Sequence, residues 1–577
     1  MREKLLEQLH HAIRTLCSDS EEASIPPGLR LEVPRDNGHG DFACNAALLL
    51  AGRLHRPPRE IAQQLVDRLG DAGGLLERAE VAGPGFVNLW LARDRWRDLL
   101  RRILEEGAAF ARSDMGAGAR VQVEFVSANP TGPLSVGHGR QAILGDGIAR
   151  LLEATGHEVT REYYFNNGGR QMRVLGESVK ARYLERLGLA AAPPLEALAD
   201  PESSWPDRID GKPVVFPRDG YQGDYIYEIA DAILTKEGDG WVREPGEGRF
   251  RQEAERRIFE GIRNTLESLG IRFDVYYNEM SLYEEGRIEE TLADLRAAGC
   301  VYEEEGAVWL RATQLGLQRD RVLVKGSGEP TYLLPDIAYH REKFRRGFET
   351  IIDVMGADHV DQLPFVRAAV ALLGCDPERI ELVMNQFVTL SRGGHTVKQS
   401  TRAATFITAD ELLAQVGPDV FRLFMIQRKP EGHLDFDLDL ATETDWTKNP
   451  AYYLQYAHAR TCGIAREAAR RGVPIPPPEE VEVARLELPE ELEILKKLGE
   501  LPEVVRAAAV ARAPHHLAYY LREVAGLWNP YLQDGRRHRI LGEDPGLSGA
   551  RLALSEAVRI VLAEGLGLLG MAAPERM

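Results

Sequence analysis

The run from Glu124 to Arg140, EFVSANPTGPLSVGHGR, carries a histidine between two glycines where a strand gives way to a helix. A small-residue turn feeding a helix N-terminus offers backbone N–H groups and the positive end of the helix dipole, both suited to phosphate. Gly137 and Gly139 let the backbone approach a nucleotide closely, and His138 can hydrogen-bond charge that develops between phosphates. Taken alone, a Gly-His-Gly at a helix start is equally well a structural turn. Glu124 stands on an otherwise apolar strand, where an unpaired buried carboxylate is costly; a cationic ligand would explain it. Asp336 falls in the first turn of the helix PDIAYHREKFRR, with Pro335 fitting its first position and Gly347 its end. A carboxylate there also satisfies the helix dipole with no ligand at all.

These groups need a scaffold. VQVEFV reads as an apolar strand, Arg140 to Thr155 as a helix, and EVTREYYF as a second strand. IIDVMG and IELVMNQFVTL read as further strands with helices between them, an alternation that implies an α/β fold with a doubly wound parallel sheet. Residues 195 to 265, rich in Pro, Gly and acids, read as an irregular insertion in that sheet domain, and SDMGAGAR at 113 to 120 as a linker before it. Ahead of the linker, residues 1–112 form an α+β module with an amphipathic first helix (Leu5, Leu9, Ile13, Leu16) and two strands around the Gly-Pro-Gly of AEVAGPGFVNLWL. From 445 to 577 the texture is helical throughout, with VPIPPPEE as a loop in a bundle.

Composition narrows the class without naming a reaction. At 577 residues, 44% hydrophobic and 28% charged, the chain is globular and too long for one core. No apolar run is long enough for a membrane span, and the first residues do not read as a signal peptide. Five scattered cysteines without a CxxC pair argue against protein-bound zinc or a disulfide framework, so no metal site is expected, and they fit a reducing cytoplasm. The net charge of −18 excludes a uniformly basic coat for nucleic acid but not a local basic track.

Ala128 to His138, ANPTGPLSVGH, resembles the HIGH motif in the long form of the arginyl-tRNA synthetase family, a branch of the class I aminoacyl-tRNA synthetases. The flanking VEF, GRQAILGD and YYFNNGGRQM match as well, and the resemblance covers essentially the whole chain. It implies a class I Rossmann-type catalytic domain at 113–444, an added N-terminal domain at 1–112 and an anticodon-binding bundle at 445–577. Residues 391 to 407 resemble the KMSKS-type loop, with Lys398, Gln399, Ser400, Thr401 and Arg402 in the motif positions. The family's nucleotide-handling positions fall on Gly137, His138, Gly139, Gly356, Asp358, Lys398 and Ser400, and Ser135 and Arg402 fall on further catalytic positions. Its arginine-binding positions fall on Glu124, Asn129, Tyr332, Asp336 and His359. Paired carboxylates suit a planar guanidinium, and Tyr332 can cover it. Phe86 and Asn88 take the places that grip a flipped base of the tRNA D-loop, by stacking and an amide hydrogen bond. Tyr452, Tyr453, Tyr456, His458 and Arg460 form an aromatic and basic mix suited to an anticodon loop, and GRRHR at 535–539 reads as a phosphate patch.

The implied activity is attachment of L-arginine to tRNA(Arg), with Mg-ATP as co-substrate, arginyl-adenylate as intermediate and activation that waits for bound tRNA. A cytoplasmic monomer is expected. Three departures stand out: Ser135 replaces the first histidine of the HIGH motif, Thr401 the second lysine of the KMSKS-type loop, and Gly132 an upstream lysine carried by some relatives. They support a second reading, a catalytically weak relative that binds RNA or arginine. Arg140, Arg392 or His395 would be the substitutes for the missing charge.

Overall fold

The structure, a computed structural model, describes residues 2–17, 25–34, 37–199, 204–357, 361–397 and 407–577. They gather into two compact units. The first comprises Met1–Phe110, Arg460–Glu500 and Gly526–Val561. Its sheet has the strands β1 (Leu31–Glu32), β2 (Phe42–Cys44), β3 (Leu76–Ala82) and β4 (Phe86–Leu91), antiparallel in the order β1-β2-β4-β3. Val87, Leu89 and Leu91 of β4 are buried on one face, the period-2 alternation of a half-covered sheet.

The second unit comprises Ala111–Ala459, Leu501–Ala525 and Leu562–Met577. Its centre is a five-stranded parallel sheet of β5 (Arg120–Phe125), β6 (Glu158–Phe165), β7 (Val275–Asn278), β8 (Thr350–Gly356) and β9 (Ile380–Asn385). The spatial order is β9-β8-β5-β6-β7, so the winding direction reverses between β5 and β8. The C-terminal ends of two such strands open a crevice, where doubly wound sheets take their ligands. The helix Val136–Ala154 returns from β5 across the sheet and is buried almost all round, as its Ala- and Gly-rich sequence allows. The helix Leu333–Arg345 covers the other side with Leu334, Ile337, Ala338 and Tyr339, in one core with Ile351, Val366 and Ala369.

Several expectations are corrected. The first helix after β5 starts at Val136, four residues before Arg140, because Ser135 caps it. IELVMNQFVTL is two strands: after β9 the chain leaves the parallel sheet, and β10 (Val388–Arg392) pairs with β11 (His395–Thr396) and β12 (Leu434–Asp437). Backbone groups at the break find partners outside either ladder, Gln386 N donating to Pro430 O at 3.0 Å and Gln386 O accepting from Arg140. The span 195–265 holds regular helices, with Asp224–Glu237 and most of Arg251–Ser268 inside it. Ile226, Ile229, Ala230 and Ile233 keep the helical period that its Pro, Gly and acid content concealed. PEELEILKKLGELPEVVRAAAVA breaks at Gly499 into two helices, Pro489–Leu498 and Leu501–Val510. The 113–120 segment is no free linker: Ser113 N, Gly116 N and Gly118 N donate to Ala154 O, Thr155 O and Gly156 O. Pro335 lies at the third position of its helix, still within the turn where a missing N–H breaks no helical bond.

Candidate active site

β5 ends in a strained turn. Val126 and Ser127 both have positive φ, 70° and 43°, a region that suits neither residue type. Ser127 Oγ donates to Glu124 Oε1 at 2.9 Å and accepts from Tyr164 N at 3.2 Å, which holds the turn against β6. Beyond it the chain reaches Ser135, the N-cap of the helix Val136–Ala154. Ser135 Oγ accepts from His138 N at 3.3 Å, and His138 Nδ1 accepts from Ser135 N at 3.2 Å. This is a capping box with histidine in the place usually held by Glu or Gln. Ser135, the departure from the HIGH motif, therefore has a definite structural task. A backbone N–H can only donate, so Nδ1 must be the unprotonated nitrogen of a neutral ring, which puts the ring's N–H at Nε2.

The two glycines differ. Gly137 is half-exposed, and its carbonyl accepts from Asn385 Nδ2 at 3.4 Å. Gly139 is buried, and a Cβ there would stand 2.6 Å from Phe421 Cζ. Its lack of a side chain thus serves the packing of two helices, a correction to the reason first given for it. Arg140 is likewise not a spare cation. It is fully buried and donates to Gln386 O at 2.8 Å and Lys429 O at 3.0 Å. Burial lowers its pKa to about 10, against the opposing pull of Glu431, and the side chain stays charged. Arg392 and His395 are exposed on β10 and β11. At Gly132 a Cβ would meet the hydroxyl of Tyr225 at 3.1 Å, and that hydroxyl donates to Thr131 O. The span read as an insertion thus buttresses the turn between β5 and the helix Val136–Ala154.

Glu124 does not lack a cation. Asp353 of β8, Glu124 of β5 and Glu162 of β6 are register partners, forming a row of carboxylates across three strands. Like charges side by side would repel. The helix Leu333–Arg345 supplies the counter-charge: Lys343 Nζ, fully buried, donates to Glu124 Oε2 at 2.5 Å and Asp353 Oδ1 at 2.7 Å. Just past the helix end, Arg346 donates twice to Glu162, at 2.6 and 2.8 Å, and Tyr339 OH adds a third bond. Burial alone would lower the Lys343 pKa, but Asp353 and Glu124 outweigh it and hold the lysine above its ordinary range. Sequence reading missed Lys343 because it lies in a helix far along the chain, where it looks like any surface lysine.

Asp336, one helical turn before His340, is a different case. Gln362 Nε2 donates to its Oδ2, yet among the described residues no lysine or arginine pairs with it. Burial pushes its pKa from 3.8 to about 7; Glu279 and Glu124 add to the rise, against His340 and Gln362. Glu279 accepts from Tyr164 OH at 2.6 Å and Asn166 Nδ2 at 2.8 Å, and burial raises its pKa as well. Asn129 joins the same wall: its Oδ1 accepts from Asn166 N at 3.0 Å and its Nδ2 donates to Gln171 at 3.2 Å. Tyr332 precedes the helix and is 71% exposed, a ring available to cover a ligand. The result is an acidic cluster beside Tyr164, with Glu279 and Glu124 both close enough to Asp336 to perturb it. Tyr164 lies in the quoted segment YYFNNGGRQM, whereas Glu279 and Gln362 had no sequence motif to announce them.

Gly356 closes β8 opposite Asn385 of β9. Asp358, His359, Lys398, Ser400 and Arg402, with Gln399 and Thr401, lie outside the described residues. In the first unit, Phe86, Asn88 and Trp90 lie on the face of β4 opposite Val87, Leu89 and Leu91, where Arg78 stacks on Trp90 at 3.8 Å. Phe86 is half-buried and Asn88 is 6% exposed. The aromatic and basic helix is partly committed to the fold. Trp446 stacks on Tyr456 at 3.8 Å, and His458 is buried with Nδ1 on Pro574 O at 3.0 Å. In GRRHR, His538 turns inward onto Tyr531 and Arg537 pairs with Glu490.

Three family models match the chain: the arginyl tRNA synthetase N-terminal domain over residues 3–91, the class I (R) tRNA synthetase catalytic domain over 100–417, and the DALR anticodon binding domain over 454–577. An arginine–tRNA ligase of Desulfotalea psychrophila is 48% identical over 95% of this chain and 94% of its own length. One from Salinibacter ruber is 45% identical over the whole of both chains. The solved arginyl-tRNA synthetase of Thermus thermophilus, 25% identical, superposes with a TM-score of 0.73 over the whole of both chains. This naming does not favour the reading of a weakened RNA- or arginine-binding relative. With a capped strand-to-helix turn and an acidic cluster built on a parallel sheet, and matches along its whole length, the chain belongs to the class I arginyl-tRNA synthetases, the arginine–tRNA ligases.

Proposed function

We propose that the acidic pocket takes the guanidinium of L-arginine and that the adjoining turn takes the phosphates of Mg-ATP. Asp336 carries this reading: its carboxyl is held near neutrality by burial and by Glu279 and Glu124, and a guanidinium is the ligand that relieves it. Glu124 and Asp336 grip the cation, Tyr332 covers it, and Asn129 and His359 hold the rest of the amino acid. The arginine carboxylate attacks the α-phosphate, giving arginyl-adenylate and pyrophosphate. A terminal ribose hydroxyl of tRNA(Arg) then takes the arginyl group and releases AMP. No protein nucleophile is needed, so catalysis is positioning and charge stabilisation.

His138 donates to the phosphates from Nε2, and Ser135 fixes the ring that does so. Gly137 lies where the turn meets ATP, with Gly139 packing the helix behind it, Gly356 and Asp358 handle adenosine, and Lys398, Ser400 and Arg402 serve the phosphates from the KMSKS-type loop. Residues 1–112, with Phe86 and Asn88, grip the tRNA corner; 113–444 carry the chemistry; 445–577 meet the anticodon. The enzyme works as a cytoplasmic monomer and activates arginine only with tRNA bound. Citrulline tests the pocket directly, because it keeps the shape of arginine without its charge. tRNA(Arg) is expected to accept arginine and not citrulline; comparable charging with both would sink the assignment.

A further inference from the structure

Away from the crevice, one buried arginine joins three distant segments of the second unit. Arg422, on the helix Pro418–Ile426, is 1% exposed. Its Nε donates to Leu569 O at 2.8 Å, its Nη1 to Leu269 O at 2.7 Å, and its Nη2 to Asp146 Oδ2. Asp146 belongs to the helix Val136–Ala154, the one that starts at the phosphate turn, and also accepts from Arg150 Nε at 2.7 Å. Leu569 opens the C-terminal tail. At the next residue, Gly570, φ is +72° and a Cβ would fall within the Arg422 guanidinium. Only glycine lets the tail lie across that group.

The tail is fastened further along. Asp419, one turn before Arg422, accepts from Ala572 N at 2.9 Å and from Gln455 Nε2 at 2.7 Å. Gln455 also donates to Ala572 O at 3.1 Å, and His458 holds Pro574 O. The helix that grips the tail also presses on the phosphate helix along its length. Phe421 fills the space beside Gly139, and Ile426 stands 3.1 Å from where a Cβ of Gly147 would be. The preceding helix, Ala409–Val416, touches the turn itself: Ala409 N donates to Leu134 O at 2.8 Å, and Thr408 bridges to Ser135.

We propose that Arg422 is a positioning residue for adenylation, and that the C-terminal tail clamped by Arg422 and Asp419 acts as a strap setting where His138 sits. This rests on the reading of His138 as the phosphate donor. Apolar packing could staple the helices with some freedom to slide. A buried guanidinium with three directional bonds to three segments fixes their relative position, and phosphate chemistry is sensitive to shifts below an ångström.

The test uses the full chain, the chain truncated after Met571, and Arg422→Lys, which keeps the charge but loses the fork. ATP–pyrophosphate exchange is measured with saturating tRNA(Arg), at a temperature where circular dichroism shows each variant folded. Both variants are expected to lose at least about tenfold in kcat while KM for arginine changes less than about twofold. If the truncated chain does not fold, Asp419→Asn takes its place. A lower melting temperature with kcat unchanged, or a rise confined to KM for tRNA, overturns the proposal. The ring signals of His138 in a ¹⁵N-edited spectrum give a second readout that needs no activity. They are expected to move in both variants, and signals that stay in place refute the strap. No exchange by the unaltered chain would instead refute the ligase reading, and the ring signals would still decide on the strap.

Discussion

If the acidic cluster takes arginine as proposed, arginine binding is linked to one proton. Asp336 has its carboxyl raised from 3.8 to about 7 in the folded protein. The folded state therefore holds this proton more tightly than the unfolded chain does. The stability this group contributes is fully present below about pH 4 and is lost as pH rises through about 7, a difference of about 4 kcal/mol for some three pKa units. Above pH 7 the unliganded pocket carries an ionised Asp336 beside Glu124 and Glu279, and a guanidinium relieves that repulsion. Below pH 7 arginine must first displace the proton, so its affinity falls by up to about tenfold per pH unit. Between pH 8 and pH 6 the expected weakening is about tenfold. Titration calorimetry at pH 6, in buffers of different ionisation enthalpy, should register the release of nearly one proton per arginine bound. His340 also faces Asp336, through its Nδ1 on the Asp336 carbonyl at 2.7 Å, so a control is needed. Asp336→Asn removes the titrating group: it should flatten the pH slope and weaken binding at pH 8 by about 1.5–3 kcal/mol, the usual worth of a hydrogen bond to a charged group. An affinity constant from pH 6 to 8, with no buffer-dependent heat, would refute the reasoning.

Two further outcomes follow from packing and charge. Lys343→Met strands Glu124 and Asp353 side by side, and equilibrium denaturation should show a loss of about 3–5 kcal/mol, the cost of breaking a buried pair; a loss below 1 kcal/mol would contradict the counter-charge role. Gly139→Ala forces a methyl against Phe421 and should cost about 1–3 kcal/mol, with Phe421→Leu in the same chain restoring much of it. Failure of that rescue would mean that Gly139 answers to something other than helix packing.

Legibility in the sequence followed the range of the interactions. The Gly-His-Gly turn, its helix and the strands around it were readable because a cap, a dipole and a hydrophobic period are local. Asp336 was readable as a first-turn carboxylate for the same reason. The neighbours that give these residues their chemistry were not. Lys343 and Glu124 are separated by 219 positions, and nothing near either one announces the pair. Glu279, Tyr164 and Gln362 enter the pocket from three different elements. Gly139 was given the wrong physical reason, since a bare Cα facing a phosphate and one facing a phenyl ring look identical in sequence. The strand IELVMNQFVTL was read as continuous because the apolar pattern carries through the point where the chain changes sheets. The helices of the 195–265 span were hidden under a Pro- and Gly-rich composition.

The central claim is that this phosphate turn activates arginine despite Ser135, Thr401 and Gly132. ATP–pyrophosphate exchange with L-arginine tests it most directly, run with and without tRNA(Arg). The account predicts exchange that depends on arginine and appears only when tRNA is present. No exchange even with cognate tRNA would contradict it, and exchange without tRNA would overturn the expected dependence while leaving the pocket and the turn in their assigned roles.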